Sequence, residues 1–128
     1  MIPTDAPLLS VQALMVSIGD ISVCSDLHFS VRPGERLAIL GRNGAGKSTL
    51  LSVLAGLRAA HAGDVLLEGA CDAALGRRAS ALIRGWLPQA RGDAFASTVL
   101  ESALTGRHPH LSRWDWESAS DVKIVRAA

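Results

Sequence analysis

The residues best suited to chemistry fall in one short stretch: Gly41, Arg42, Asn43, Gly44, Ala45, Gly46, Lys47, Ser48 and Thr49 run consecutively. Their Gly-x-x-x-x-Gly-Lys-Ser spacing is the pattern of a loop that cradles nucleotide phosphates. Each residue type has a mechanical reason to be there. Glycines allow positive φ and let the backbone approach an anion with no Cβ in the way. Successive amide N–H groups then converge on the anion, and the N-terminus of a following helix adds its positive dipole end. Lys47 brings a point charge for the β- and γ-phosphates, and Ser48 a hydroxyl for Mg²⁺.

Such a loop works between a strand and a helix, and the flanking residues predict both. Leu37, Ala38, Ile39 and Leu40 make an unbroken apolar run into Gly41, the pattern of a strand buried on both faces. After the loop, Leu50, Leu54 and Leu57 recur at helical spacing, with Leu51 and Val53 beside them. Upstream, Leu9, Val11, Ala13 and Met15 alternate with Ser10 and Gln12, predicting a first strand. A second strand places Ile21, Val23, Leu27, Phe29 and Val31 on one face, and Ser22, Cys24, Asp26, His28, Ser30 and Arg32 on the other. Gly19-Asp20 supplies the hairpin turn between them, and Pro33-Gly34 a turn toward the phosphate loop.

Downstream, His61-Ala62-Gly63-Asp64 reads as a turn and Val65 to Glu68 as a short strand. Leu75, Ala79, Leu82 and Ile83 repeat as one helix with Arg77, Arg78 and Arg84 between them, and Gly85-Trp86-Leu87-Pro88 reads as a short strand stopped by proline. Arg91 to Ser97 is a polar loop. Thr98 and Glu101 form a capping-box pair ahead of Leu100, Ala103 and Leu104, with Gly106 and Pro109 as stop signals. Asp115 is placed to start a last helix carrying Ala119, Val122 and Val125, with no glycine or proline to stop it before Ala128.

Composition narrows the classes. A chain of 128 residues with 48% hydrophobic and 20% charged residues suits one globular domain. A net charge of +1 gives no whole-protein attraction to nucleic acid or acidic lipid. Met1 to Ala6 holds Asp5 and no basic residue, so no secretory leader is expected, and no apolar stretch approaches a membrane span. Cys24 and Cys71 lack metal or redox spacing and read as small reduced core residues. His108-x-His110 has no third ligand at metal spacing, Trp114 and Trp116 cannot share a helix face, and Arg77, Arg78, Arg84 and Arg91 read as a solvated face.

Taken together, the chain resembles the first half of the ATP-binding domain of an ABC transporter. The resemblance rests on the Asn43-Gly44-Ala45-Gly46 loop interior, on His61-Ala62-Gly63-Asp64-Val65, on Leu87-Pro88-Gln89 as a Q-loop, and on Thr98-Val99-Leu100-Glu101 as a helix start. It covers about residues 8 to 126. Gly106-Arg107-His108-Pro109-His110 followed by Trp114 is similar to the ATPases that import ferric siderophores, haem and cobalamin. The implied fold is α/β, a P-loop NTPase with an N-terminal antiparallel β subdomain. Its parts are 8–36 (antiparallel β), 37–57 (Walker A strand, loop and helix), 58–97 (strands, helix and Q-loop) and 98–128 (start of a helical subdomain), all within a partial domain over 8–128.

The resemblance also implies roles. Asn43 to Ser48 amides and the Lys47 amine hold the triphosphate of ATP, and Thr49 contacts the α-phosphate. Ser48 binds Mg²⁺, and Gln89 reaches Mg²⁺ or the attacking water and senses a transmembrane permease subunit. A second ATP-binding subunit and, indirectly, a periplasmic binding protein complete the implied assembly, on the cytoplasmic face of the membrane and without nucleic acid. Two departures stand out. Ile18 lies near the position where the family usually stacks an aromatic ring on adenine. The chain has no Leu-Ser-Gly-Gly signature and no apolar strand ending in Asp-Glu, since Val65-Leu66-Leu67-Glu68 is short and follows the phosphate helix too closely. A product or sequence truncated before those motifs is therefore expected, binding ATP without steady turnover by itself and exposing 37–40 as an apolar edge. The alternatives are a soluble ABC ATPase, another phosphate-loop enzyme and a non-catalytic nucleotide-binding fragment; a GTPase lacks support because no Asn-Lys-x-Asp is present.

Overall fold

A computed structural model describes residues 6–89, 96–112 and 114–128. The chain divides into two compact units, Met1–Arg84 and Gly85–Ala128. In the first, β1 (Leu9–Ile18) and β2 (Ile21–Val31) form a hairpin, followed by α1 (Lys47–Leu54), β3 (Ala62–Leu67), β4 (Ala70–Cys71), α2 (Asp72–Leu75) and α3 (Arg77–Ile83). The four strands make one antiparallel sheet in the order β2-β1-β3-β4. One face of that sheet packs on α1. Val11, Leu14 and Val16 of β1, Val65 of β3 and Leu50, Val53 and Leu54 of α1 form the buried core. Leu50, Val53 and Leu54 stand at i, i+3 and i+4, so one stripe of the helix faces the sheet.

The simple alternation predicted for β1 breaks at Ala13. Val11 pairs with Phe29 but Leu14 with Leu27, and Gln12 pairs with Asp64 but Met15 with Ala62. One extra residue in β1 against both neighbours is a β-bulge, and it reverses which side chains point inward. Leu14 and Val16 are therefore buried, while Ala13 and Met15 are exposed. Ala13 takes φ 47°, and its amide donates to His28 Nδ1 at 3.3 Å. Gly63 makes the bulge possible on the other side: a Cβ there would lie 2.3 Å from the Ala13 carbonyl oxygen. The segment around Gly63 is thus the start of β3 rather than a free turn.

Four further expectations are corrected. Residues 37–40 carry no ladder pairing to any described residue, and Leu37 and Leu40 are 55% and 89% exposed. Ile39 alone of the run packs against the core. Apolar composition does not make a strand without a neighbour to accept its amide hydrogens. The helix after the loop ends at Leu54, and the chain turns at Gly56, leaving Leu57 exposed. The single helix expected over residues 75–83 is two, α2 and α3, divided at Gly76 with φ 77°. No pairing makes 86–88 a strand among the described residues.

The second unit contains α4 (Val99–Leu104), a 3₁₀ helix (Thr105–His110) and α5 (Ala119–Ala127). Thr98 caps α4 in the predicted box with Glu101, whose carboxylate accepts from the Thr98 amide at 2.7 Å. Gly106 and Pro109 do not stop the chain but sit within the 3₁₀ helix. The start of α5 is Ser118, not Asp115, in a second capping box with Asp121. The polar loop expected over 91–97 lies largely outside the described residues. Among the described residues no helix is long and apolar enough to cross a membrane.

Candidate functional site

The loop opens after residues 37–40 and closes on the first turn of α1. Gly44 and Gly46 both adopt left-handed backbone, at φ 82° and 85°. At Gly46 a Cβ would also collide with Val23, 2.6 Å from Cγ1. The bare glycine therefore lets β2 press directly on the loop, and Val23 fixes where the helix begins. The Ala45 amide donates to the Arg42 carbonyl at 3.2 Å, and the Leu50 amide to the Gly46 carbonyl at 2.9 Å. These bonds bend the chain from loop into helix within five residues.

Lys47 is the first residue of α1, and its side chain folds back over the loop. Its Nζ donates to the carbonyl oxygens of Gly41 at 2.8 Å and Arg42 at 2.7 Å. The ammonium is thereby held above the loop interior instead of extending into solvent. No side chain caps the N-terminus of α1, and its first turn carries no acidic residue. The helix's free amides and positive dipole end thus remain open to an anion. Asn43 and Ser48 are exposed and Thr49 is half-buried. The Ser48 carbonyl is occupied, accepting from Ser52 Oγ at 2.7 Å.

Residues 41–49 hold no carboxylate, and their donors are glycine-rich amides, one ammonium, one guanidinium, one carboxamide and two hydroxyls. That set fits a phosphate chain, and the Ser48 hydroxyl fits a hard, oxygen-seeking cation such as Mg²⁺. Of the nine predicted loop residues, 41–46 lie in the loop and Lys47, Ser48 and Thr49 in the first turn of α1, with Lys47 folded back onto Gly41 and Arg42. Gln89 belongs to the second unit, where it is exposed and immediately precedes residues outside those described. Ile18 pairs with Ile21 at the closed end of the hairpin, and both are exposed.

One contributor escapes a sequence reading. Val23 looks like any inward strand residue, and its contact with Gly46 depends on a bulge between the Val16–Cys24 and Ser17–Ser22 pairs. Other residues weighed above resolve locally. Cys24 packs against the core with its thiol toward the Leu14 carbonyl, and Cys71 turns toward Asp64. His108 lies 3.3 Å from Glu117.

Comparison with known proteins gives a consistent picture. The family model described as ABC transporter matches residues 24–127. A hemin import ATP-binding protein of Myxococcus xanthus is 40% identical over 120 residues, which is 94% of this chain and 44% of that protein. One from Burkholderia ambifaria is 44% identical over 80% of this chain and 41% of that protein. A cobalamin import ATP-binding protein of Halobacterium salinarum is 36% identical over 94% of this chain and 30% of its own length. The chain thus spans less than half the length of these relatives. Among solved structures, an inward-facing transporter assigned to the metal-chelate ABC type aligns with TM-score 0.72 and 28% identity, over 92% of this chain and 42% of that one. A bacterial Atm1-family ABC exporter with ATP bound aligns with TM-score 0.70 and 25% identity, over 92% of this chain and 20% of the exporter chain.

Proposed function

The chain belongs to the ABC transporter family, and on that premise we propose that it is the nucleotide-holding part of an importer's ATP-binding subunit. The observation that carries this reading is the Lys47 ammonium, anchored over the loop by the Gly41 and Arg42 carbonyls. A triphosphate entering the loop meets that charge and the open amides of the first turn of α1 together. In this reading the amides from Asn43 to Ser48 and the Lys47 amine hold the triphosphate, Thr49 approaches the α-phosphate, and Ser48 and Gln89 serve Mg²⁺. The metal supplies charge neutralisation between the phosphates.

Import follows from the sequence relatives, whose names assign them to hemin and cobalamin import. The fold alone does not favour it, because an exporter aligns almost as well as the metal-chelate transporter. The cargo class is accordingly a metal chelate of the siderophore, haem or cobalamin kind. Transmembrane permease subunits, a second ATP-binding subunit and an extracytoplasmic binding protein are the partners, and the cytoplasmic membrane face the location. The 128 residues include neither a Leu-Ser-Gly-Gly stretch nor an apolar strand ending in Asp-Glu, so these residues alone bind without steady turnover.

The test is a fluorescence titration of the chain with MgATP. A charge-assisted hydrogen bond contributes about 1.5–3 kcal/mol, so Lys47→Ala weakens binding by roughly one to two powers of ten. Equal affinity in wild type and variant would remove the site. Phosphate release above that of the Lys47→Ala variant would refute binding without turnover.

A further inference from the structure

A second anion-binding feature lies away from the phosphate loop, within the first unit. A cleft of about 400 Å³ is lined by Gly56 and Leu57, just past α1, by Arg77, Ser80 and Ala81 of α3, and by Arg84 just beyond it. Arg77, Ser80 and Ala81 are i, i+3 and i+4 on α3 and project from one side of it, and Arg84 follows the helix in extended backbone. Arginines stand at the two ends and small residues between them. No carboxylate is among the residues lining the cleft.

Ser80 is the observation that points to a ligand. It is only 2% exposed, and its hydroxyl has no hydrogen-bond partner among the described residues. Buried hydroxyls are nearly always paired, and an exception asks for an explanation. A serine hydroxyl moves readily between staggered positions, so it can turn to an acceptor arriving in the cleft. Guanidinium groups match phosphate oxygens with two parallel N–H donors, which a lone lysine cannot do. Arg77 opens α3 and Arg84 directly follows its last residue, so two guanidinium-bearing side chains at the ends of one helix line the cleft, which suits an anion with more than one phosphoryl group.

We infer that this cleft is a binding site for an anion with two linked phosphoryl groups, held by Arg77 and Arg84 at its ends and by Ser80 between them. The site is separate from the nucleotide loop and needs none of its residues. The same phosphoryl chemistry has two sources, a soluble polyphosphate and the headgroup of an anionic phospholipid.

The experiment uses the 128-residue chain carrying Lys47→Ala, so that the loop does not take up the probe. Pyrophosphate is titrated while backbone amide NMR shifts are followed. Saturable shifts are expected at Gly56, Leu57, Ser80 and Ala81. Arg77→Gln with Arg84→Gln should weaken binding about tenfold or more, as loss of charge-assisted bonds does. Ser80→Ala should weaken it about threefold while leaving the unliganded chain at least as heat-stable, a pairing that a purely structural serine does not give. In a parallel arm, sedimentation with phosphatidylglycerol vesicles is compared with phosphatidylcholine vesicles. Arginine-dependent shifts with pyrophosphate assign a soluble ligand. Arginine-dependent sedimentation with phosphatidylglycerol and no response to pyrophosphate assigns a headgroup. No saturable response in either arm, or a response unchanged by the double substitution, overturns the site.

Discussion

The two units of this chain are held together by different physics. In Met1–Arg84 the enclosed residues are almost all apolar, with Leu14 at 0% exposure in the centre of a sheet-on-helix core. In Gly85–Ala128 the buried residue among those described is a carboxylate, Asp121, and the helices are pinned by capping boxes. The first unit draws on burial of hydrocarbon, which does not titrate with pH. The second draws on directional bonds to ionised groups, which do. The 41–46 loop rests on the first kind of support, since Val23 lies where a Cβ on Gly46 would be, a contact only glycine permits.

Removing hydrocarbon from the first unit tests the comparison most severely. Leu14→Ala should cost about 2–5 kcal/mol, the range for a fully enclosed leucine. A urea transition of the purified chain measures it, and a loss below about 1 kcal/mol would mean the core is not closed around β1. Gly63→Ala comes next. It combines an L-residue at φ 83° with a 2.3 Å approach to the Ala13 carbonyl. Left-handed strain of about 1–2 kcal/mol and overpacking of about 1–3 kcal/mol put the loss near 3 kcal/mol. Asp64→Ala beside it lacks both causes and serves as the control.

Ser80→Ala should act in the opposite direction. Deleting an unpaired buried hydroxyl stabilises the free chain by about 1 kcal/mol, seen as a raised midpoint in the same urea transition. Leu40→Thr is smaller again, within about 0.5 kcal/mol, because the leucine is 89% exposed. Its visible effect should be on association, measured by light scattering at rising concentration. An unpaired apolar segment is a site for edge pairing, and the hydroxyl weakens it. A loss as large as that of Leu14→Ala would show that 37–40 is enclosed after all.

The sequence told most where several local signals agreed. Loop spacing and glycine placement predict a tight loop at 41–46 leading into a helix, and the structure has Gly44 and Gly46 at positive φ with α1 starting at Lys47. The Thr98–Glu101 box was legible for the same reason, since donor and acceptor are three residues apart. Illegible features depend on residues distant in the chain. Nothing at Ala13 announces a bulge, because the bulge is defined by Phe29, Leu27 and Gly63 on neighbouring strands. Residues 37–40 have the composition of a buried strand, but composition cannot state whether a neighbour is there to pair. Ser118 shows the remaining kind of miss: Asp115 and Ser118 are both capping residue types, and Asp121 selects between them from three positions on.

The gentlest test addresses the second unit through pH. The Asp121 carboxylate accepts from Ser118 Oγ at 2.6 Å, from the Ser118 amide at 3.0 Å and from Arg107 Nε at 2.9 Å. The hydroxyl bond, then the amide, then Arg107 lower its pKa from 3.8 to about 2. Glu101 is lowered too, first by the Thr98 amide and then by the Thr98 hydroxyl. A carboxylate depressed on folding contributes stability above its unfolded pKa and surrenders it as pH falls through the folded value. The bonds at the start of α5 should therefore hold fully above about pH 4 and weaken between about 4 and 2. Amide hydrogen exchange at Asp121 and Val122 should quicken over that window relative to the intrinsic acid rate, while amides of β1 hold their protection until global unfolding. Asp121→Asn should flatten the dependence at α5 and leave that at α4, where Glu101 still titrates. If β1 and α5 lose protection together in both proteins, the two units do not differ in what holds them.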